Sequence, residues 1–318
     1  MPPRTAEYPR PNHTILHLSD TRLLGGTDRR RLFDRVDSES KLRQIVERMD
    51  ASGVDPQAIV FTGDLSELGE PDAYAQLRDI IDPFAERLGA AVVFVPGERD
   101  SRAEFRTGLL GQLPSDEPID RATFVDGLRI ITLDTSVPGS HHGELAHSQL
   151  DWLSDELLTP APYGTIIAMH HPPMPCLFDL HTTSELRGQA DLARVLAGSD
   201  VRSIIAGHVQ FSTTATFAGI PVSVSSATCY SQDLTAPAGS HRWVDSGQSC
   251  NLISVYDDTI MHTVVPLAVG PVISWVSAEE SSRLVELDDV LIEESAVAAA
   301  RSAERASRPV TIWDVANT

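Results

Sequence analysis

This sequence predicts an α/β fold of two packed sheets with helices outside, on three observations. Short apolar runs at 14–19, 58–62, 92–95, 165–169 and 201–206 alternate with stretches of helical periodicity, which reads as βαβ units. Past residue 206 the pattern changes, and 211–217, 221–225, 251–256 and 261–266 are strand-like with no helix between them. A βαβ half followed by a β-rich half closes best as two facing sheets. The third observation is how the strands end. ILHLSD ends in Asp20, AIVFTGD in Asp64, TIIAMHH in His170 and His171, SIIAGH in His208, and VVFVPGERD in Glu98, Arg99 and Asp100. Ligands of α/β proteins bind at the carboxyl ends of strands. The endings therefore predict one metal site built from loops at one sheet edge.

The elements follow in order. Residues 1–13 are polar and Pro-rich and read as an arm. After the first strand, 23–37 is a polar loop with Gly25, Gly26 and the basic run Arg29 to Arg31. Leu42, Ile45, Val46 and Met49 fall at helical spacing. The helix over 74–88 carries Leu77, Ile81, Phe84 and Leu88 on one face, with a kink expected at Pro83. A helix is expected over 101–113, and strands 122–125 and 128–133 flank the Asp126-Gly127 turn. Ser148 is placed as the cap of a helix carrying Leu150, Leu153 and Leu157. A further helix is expected over 184–196. The domain is drawn over 14–276, followed by an acidic, Ala-rich, partly helical tail over 277–318.

Composition excludes several classes. With 318 residues and 42 % hydrophobic content, the chain can bury a sizeable core. A formal charge of −20 argues against nucleic acid and anionic membrane as partners, and an anionic substrate would need local positive charge. Cys176, Cys229 and Cys250 make no disulfide framework and read as core residues in a reducing, cytoplasmic compartment; peripheral envelope association stays open. No transmembrane segment is read, and a homodimer is compatible with the sequence.

The strand-end residues suit metal-dependent phosphoester hydrolysis. That chemistry holds a phosphate between two cations about 3.5–4 Å apart, with a histidine to protonate the leaving oxygen. Here the chain resembles the calcineurin-like metallophosphoesterases, in particular the bacterial class III 3',5'-cyclic-nucleotide phosphodiesterases of the actinobacterial branch. The family pattern is D-x-H, G-D, G-N-H-[DE], H and G-H-x-H. Its counterparts are Asp20-Thr21-Arg22, Gly63-Asp64, Gly97-Glu98-Arg99-Asp100, His170 in AMHHPP, and Gly207-His208-Val209-Gln210. FTGDL, LDTSVPG, HHPP and SATCYSQDL carry the actinobacterial likeness. The resemblance covers about 14–266 and implies a four-layer α-β-β-α sandwich.

The resemblance also implies two ligand sets. The first metal's positions are Asp20, Arg22, Asp64 and Gln210. A guanidinium has no lone pair to give, so Arg22 is no ligand, and Gln210 offers only a weak carbonyl oxygen. The second metal's positions are Asp64, Glu98, His170 and His208, all competent donors for Zn, Mn or Fe. Arg99 stands at the catalytic histidine position and stays protonated, so it is a poor proton donor. At most one divalent metal is expected, and hydrolysis is expected to be weakened or lost. Arg22 and Arg99 can pair with Asp20 and Asp64, or bind a phosphate-containing ligand such as a cyclic nucleotide. His141 and His142 fall in a loop near the family's substrate pocket, and Tyr230 and Gln232 can line its mouth. Three readings stay open: a mono-metal phosphodiesterase, a non-catalytic binding protein, and a scaffold working through its tail.

Overall fold

The protein is described by a computed structural model covering residues 6–26, 31–268 and 270–285. The basic run loses Arg29 and Arg30 to the undescribed residues, and most of the acidic tail, 286–318, also lies outside them. In chain order, β1 (His13–Leu18), α1 (Ser38–Ser52), β2 (Ala58–Thr62), α2 (Pro71–Leu88), β3 (Ala91–Val95) and α3 (Arg102–Leu109) build the first half. The second contains β4 (Arg121–Val125), β5 (Leu128–Leu133), α4 (His147–Glu156), β6 (Thr165–Met169), α5 (Gln189–Leu196) and β7 (Val201–Ala206). Then come β8 (Thr213–Phe217), β9 (Ile220–Val224), β10 (Ser231–Gln232), β11 (Trp243–Val244), β12 (Ser249–Val255) and β13 (Ile260–Pro266).

One sheet has the order β13-β12-β1-β2-β3, the other β4-β5-β6-β7-β9-β8. The central β1-β2-β3 and β5-β6-β7-β9 runs are parallel, with antiparallel strands at the edges. Parallel strands covered on both faces need apolar residues at every position, and AIVFT and TIIAM are buried throughout. Between the sheets lie Ile15, Val60, Val93, Ile130, Ile166 and Ile205. Outside the first sheet, Leu42, Ile45, Leu77, Ile81 and Phe105 of α1 to α3 pack on Phe61 and Phe94. Outside the second, Leu153, Leu192 and Leu196 pack on Ile131, Ile167 and Ile204. The result is the four-layer sandwich. The inter-sheet layer also buries polar groups. His17 Nε2 bonds Thr62 Oγ1 at 2.8 Å, and His262 Nε2 bonds Ser203 Oγ at 2.9 Å.

Several local expectations are corrected. Helix α2 begins at Pro71, whose missing N–H costs nothing in a first turn, and continues past the exposed Pro83, with Leu77, Ile81 and Phe84 on its buried face. Helix α3 stops at Leu109; Leu113 is exposed, and the Gln112 N–H turns back to the Arg106 carbonyl. Ser148 is not a cap. Ala146 precedes α4, and Gln149 Oε1 accepts the Ala146 N–H at 2.9 Å. The helix expected over 184–196 is only Gln189–Leu196. Residues 184–187 are held instead by Gly143, which donates to the Glu185 carbonyl and accepts from the Arg187 N–H.

One compact unit spans Arg10–Ala268. Residues 6–9 and 270–285 group separately and include helix α6 (Ala278–Val285). Among the described residues no helix is long and apolar enough to cross a membrane.

Candidate metal centre and ligand pocket

The loops after β1, β2, β3, β6 and β7 bring Asp20, Asp64, Glu98, His170 and His208 together. Five site residues sit in the left-handed backbone region: Asp20 at φ 51°, Arg22 at 47°, Asp64 at 51°, His208 at 70° and Gln210 at 62°. Such conformations cost non-glycine residues roughly 1 kcal/mol or more each and persist where surrounding structure enforces them. Two glycines make the loops fit. A Cβ at Gly63 would overlap the His170 ring, and one at Gly207 would overlap Ser19 Oγ. Gly207→Ala is therefore expected to lower stability by about 1–3 kcal/mol, read as a fall in the urea midpoint. An unchanged midpoint would show that the loop relaxes freely.

The first half of the site is a carboxylate–guanidinium cluster. Arg22 is buried; its Nη2 donates to Asp64 Oδ2 at 2.8 Å and lies 3.6 Å from Asp20 Oδ1. Its Nη1 donates to Glu67 Oε2 at 3.2 Å, and its guanidinium lies 5.6 Å from the Tyr230 ring centre. Burial opposes the charged guanidinium, but Asp64, Tyr230 and Asp20 outweigh it, so Arg22 stays firmly protonated. Arg99 donates its backbone N–H to Asp64 Oδ1 at 3.0 Å and Nη1 to Glu67 Oε1 at 2.9 Å. Asp20 Oδ2 accepts from Ser19 Oγ and the His208 N–H, while its buried Oδ1 has no hydrogen bond.

The second half is a glutamate among imidazoles. Glu98 Oε2 lies 2.8 Å from His170 Nε2, 3.3 Å from His208 Nδ1 and 3.7 Å from His171 Nε2. His170 Nδ1 donates to the Thr62 carbonyl at 2.7 Å, and His208 Nε2 donates to the Ser184 carbonyl at 2.9 Å. These carbonyls orient His170 Nε2 and His208 Nδ1 into the site. Burial opposes a charged His170, but Asp64 and Glu98 outweigh it and push its pKa up to about 10. Burial raises the Glu98 carboxyl, yet His208 and His170 hold it well below the usual range. His171 stays neutral because burial, His208 and His170 all disfavour its charge. Both its nitrogens are engaged, by Thr135 Oγ1 and the His141 carbonyl, so it braces the site from behind. Asp100 is likewise a brace. It accepts from the N–H groups of Leu65, Ser66 and Gly97 and from Tyr74 Oη, tying the β2 loop to the β3 loop.

Above the site opens a pocket of about 450 Å³, bordered by Arg22, Glu98, Arg99, His141, His208 and Gln210. Tyr230 and Gln232 line it as expected from sequence, and His142 is not among its lining residues. Residues not singled out from sequence complete the region. Glu67 holds both arginines, and Phe33, Leu180, His181 and Trp243 form the mouth. Glu67 lies just downstream of Gly63-Asp64, which was its only signal; the mouth residues had none.

Residues 13–210 match the model of the calcineurin-like phosphoesterases. The chain belongs to that family. Among calcineurin-like phosphoesterases it is 54 % identical over 293 residues to a cAMP/cGMP dual specificity phosphodiesterase of Mycobacterium tuberculosis, covering 92 % of each chain. It is 52 % identical to a probable cyclic nucleotide phosphodiesterase of Rhodococcus erythropolis, covering 92 % of this chain and 96 % of that one. Its fold is similar to that of a dimetal phosphatase from Danio rerio (TM-score 0.57, 16 % identity, 81 % of this chain and 97 % of that one).

The family uses divalent metals, and the two positions here differ in fitness. At the first, Asp20, Asp64 and His170 offer donor atoms within 4.8 Å of one another, and the Arg22 guanidinium is already 2.8 Å from Asp64 and 3.6 Å from Asp20. At the second, Glu98, His170 and His208 offer donor atoms within 4.8 Å of one another, and both imidazole lone pairs can face inward once His170 Nε2 is deprotonated. That set fits one cation.

Proposed function

We propose that this calcineurin-like phosphoesterase is a nucleotide-phosphate binding protein in which a fixed guanidinium stands in for the first metal and hydrolysis is weakened or lost. One observation carries the reading: Arg22 Nη2 sits 2.8 Å from Asp64 and 3.6 Å from Asp20. One divalent cation would be held by Asp64, Glu98, His170 and His208, where it would polarise a phosphoryl oxygen. With His170 neutral as a ligand, the charges of Asp20, Asp64, Glu67 and Glu98 would be opposed by Arg22, Arg99 and that cation, which brings the site close to neutral and permits an anionic ligand. Arg99, about a third exposed at 32 %, is the guanidinium able to turn towards a phosphate; Arg22 is held in place by its carboxylates. With Arg99 in place of a histidine whose imidazolium could give up its proton, protonation of a leaving oxygen has no donor there. The three free cysteines support a reducing, cytoplasmic setting.

The test is metal content together with phosphodiester turnover. After expression with added Mn, Zn or Fe, at most about one ion per chain is expected, with chromogenic phosphodiester turnover at background. Two tightly held ions per chain would overturn the reading. A second reading, a mono-metal phosphodiesterase, is favoured by the inward-facing imidazoles. One ion per chain with turnover abolished by a chelator would select it.

A further inference from the structure

A second pocket, of about 250 Å³, lies against helix α1 and shares no lining residue with the pocket above the metal centre. Lys41, Gln44 and Arg48 reach it from α1, where their spacing puts them on one face. Thr228, from the loop between β9 and β10, and Asp245 and Ser246, from the loop between β11 and β12, also border it. Arg48 donates to the carbonyls of Pro266 and Leu267 and forms no ion pair among the described residues. Lys41 Nζ meets Asp245 Oδ1 at 2.5 Å. Two cations thus stand against one carboxylate, a local positive excess in a chain whose formal charge is −20. Thr228 is 2 % exposed, and its hydroxyl makes no hydrogen bond among the described residues. A nearly buried hydroxyl normally has a partner. The Ser246 hydroxyl is likewise unpaired among the described residues.

We infer that this pocket binds a small tetrahedral oxyanion of the phosphate or sulfate type. Lys41 and Arg48 supply the charge, and the Thr228 and Ser246 hydroxyls supply neutral donors. Donors arriving from a helix and two loops suit oxygens that point several ways better than they suit a planar carboxylate. Asp245 is the group that opposes the ion, because it competes for Lys41; its side chain is 55 % exposed and can turn to water. The pocket backs onto the segment that carries Tyr230 towards Arg22. Gln248 Nε2 donates to Asp245 Oδ1 at 2.8 Å and to the Cys229 carbonyl at 3.2 Å, and the Thr228 N–H donates to the Ser19 carbonyl at 3.1 Å. Neither Arg22 nor Arg99 borders this pocket, so the inference does not depend on the nucleotide-phosphate reading of the other.

Amide NMR on the full chain tests the inference, with inorganic phosphate, sulfate and acetate titrated at constant ionic strength. The Thr228, Ser246 and Gln248 amides should shift along one saturating curve with phosphate and with sulfate, and acetate should bind about ten-fold more weakly. At these amides Lys41→Ala should weaken phosphate about ten-fold, and Thr228→Val should weaken it several-fold. Asp245→Asn removes the competing carboxylate and should tighten phosphate several-fold, a gain that a folding defect cannot produce. Arg99→Ala should leave this curve unchanged, whatever it does to the amides around Gly97. Shifts that never saturate, acetate binding as tightly as phosphate, or a curve lost in Arg99→Ala would overturn the site. So would an unchanged midpoint in Lys41→Ala or Thr228→Val, or no gain in Asp245→Asn.

Discussion

Changing Arg22→His, Glu98→Asn, Arg99→His and Gln210→His together is expected to raise metal content to about two ions per chain and phosphodiester turnover by about 10²–10⁴-fold. The first and last changes rebuild the first metal's ligands. The middle two supply a neutral second-metal ligand and a proton donor. Each alone should do little, because groups that act as a unit are strongly non-additive. The geometry adds a fifth position. Glu67 now accepts from both Arg22 and Arg99, and the four changes leave its part-buried carboxylate unpaired. The quadruple variant should therefore lose about 1–3 kcal/mol of stability, and adding Glu67→Gln should recover part of it. Elemental analysis, urea denaturation and a chromogenic phosphodiester assay read the three effects. A parent as fast as the five-fold variant would sink the reading of the site.

Acid should unfold this protein steeply, and His17 should be a main cause. Burial, and secondarily His262, lowers the His17 pKa to about 3; burial lowers that of His262 to about 4. Both folded values lie below the unfolded value of 6.5. Their stability contribution is thus complete above pH 6.5 and lost as pH falls towards 4 and 3. At pH 5 the loss is roughly 2 kcal/mol for either histidine, a large share of a typical domain's stability. His17→Leu keeps an apolar volume in the inter-sheet layer, and Thr62 Oγ1 retains the Leu18 carbonyl as acceptor. Urea midpoints between pH 7 and 4.5 should fall less steeply in His17→Leu than in the parent. Parallel slopes would show that His17 titrates normally.

Local pattern carried the fold far. The strands are uninterrupted apolar runs, and their periodicity, order and abrupt polar endings are properties of neighbouring residues. Asp20, Asp64, His170 and His208 were therefore legible as one site edge, and Arg22, Glu98, Arg99 and Gln210 as departures from the family pattern. Where the local reading failed, a distant group had intervened. The segment 184–187 is held by Gly143 instead of coiling, and Gln149 caps its helix while its amide reaches Asp120 and the Asp134 carbonyl.

The electrostatic state of the site required tertiary structure, because its partners lie far apart in the chain. Arg22 meets Asp64 and Glu67 across more than forty residues, Glu98 meets His170 across 72, and the His208 N–H meets Asp20 across 188. Whether two arginines are available to a ligand depends on the carboxylate between them, and Glu67 was invisible as that partner until the β2 loop folded over the β1 loop. The directions of the imidazole lone pairs likewise depend on the Thr62 and Ser184 carbonyls, backbone groups that every residue carries and no side-chain pattern reveals. The pocket is the extreme case. Phe33 precedes α1, His181 lies between β6 and α5, and Trp243 belongs to β11, and only the closed fold sets them round one cavity.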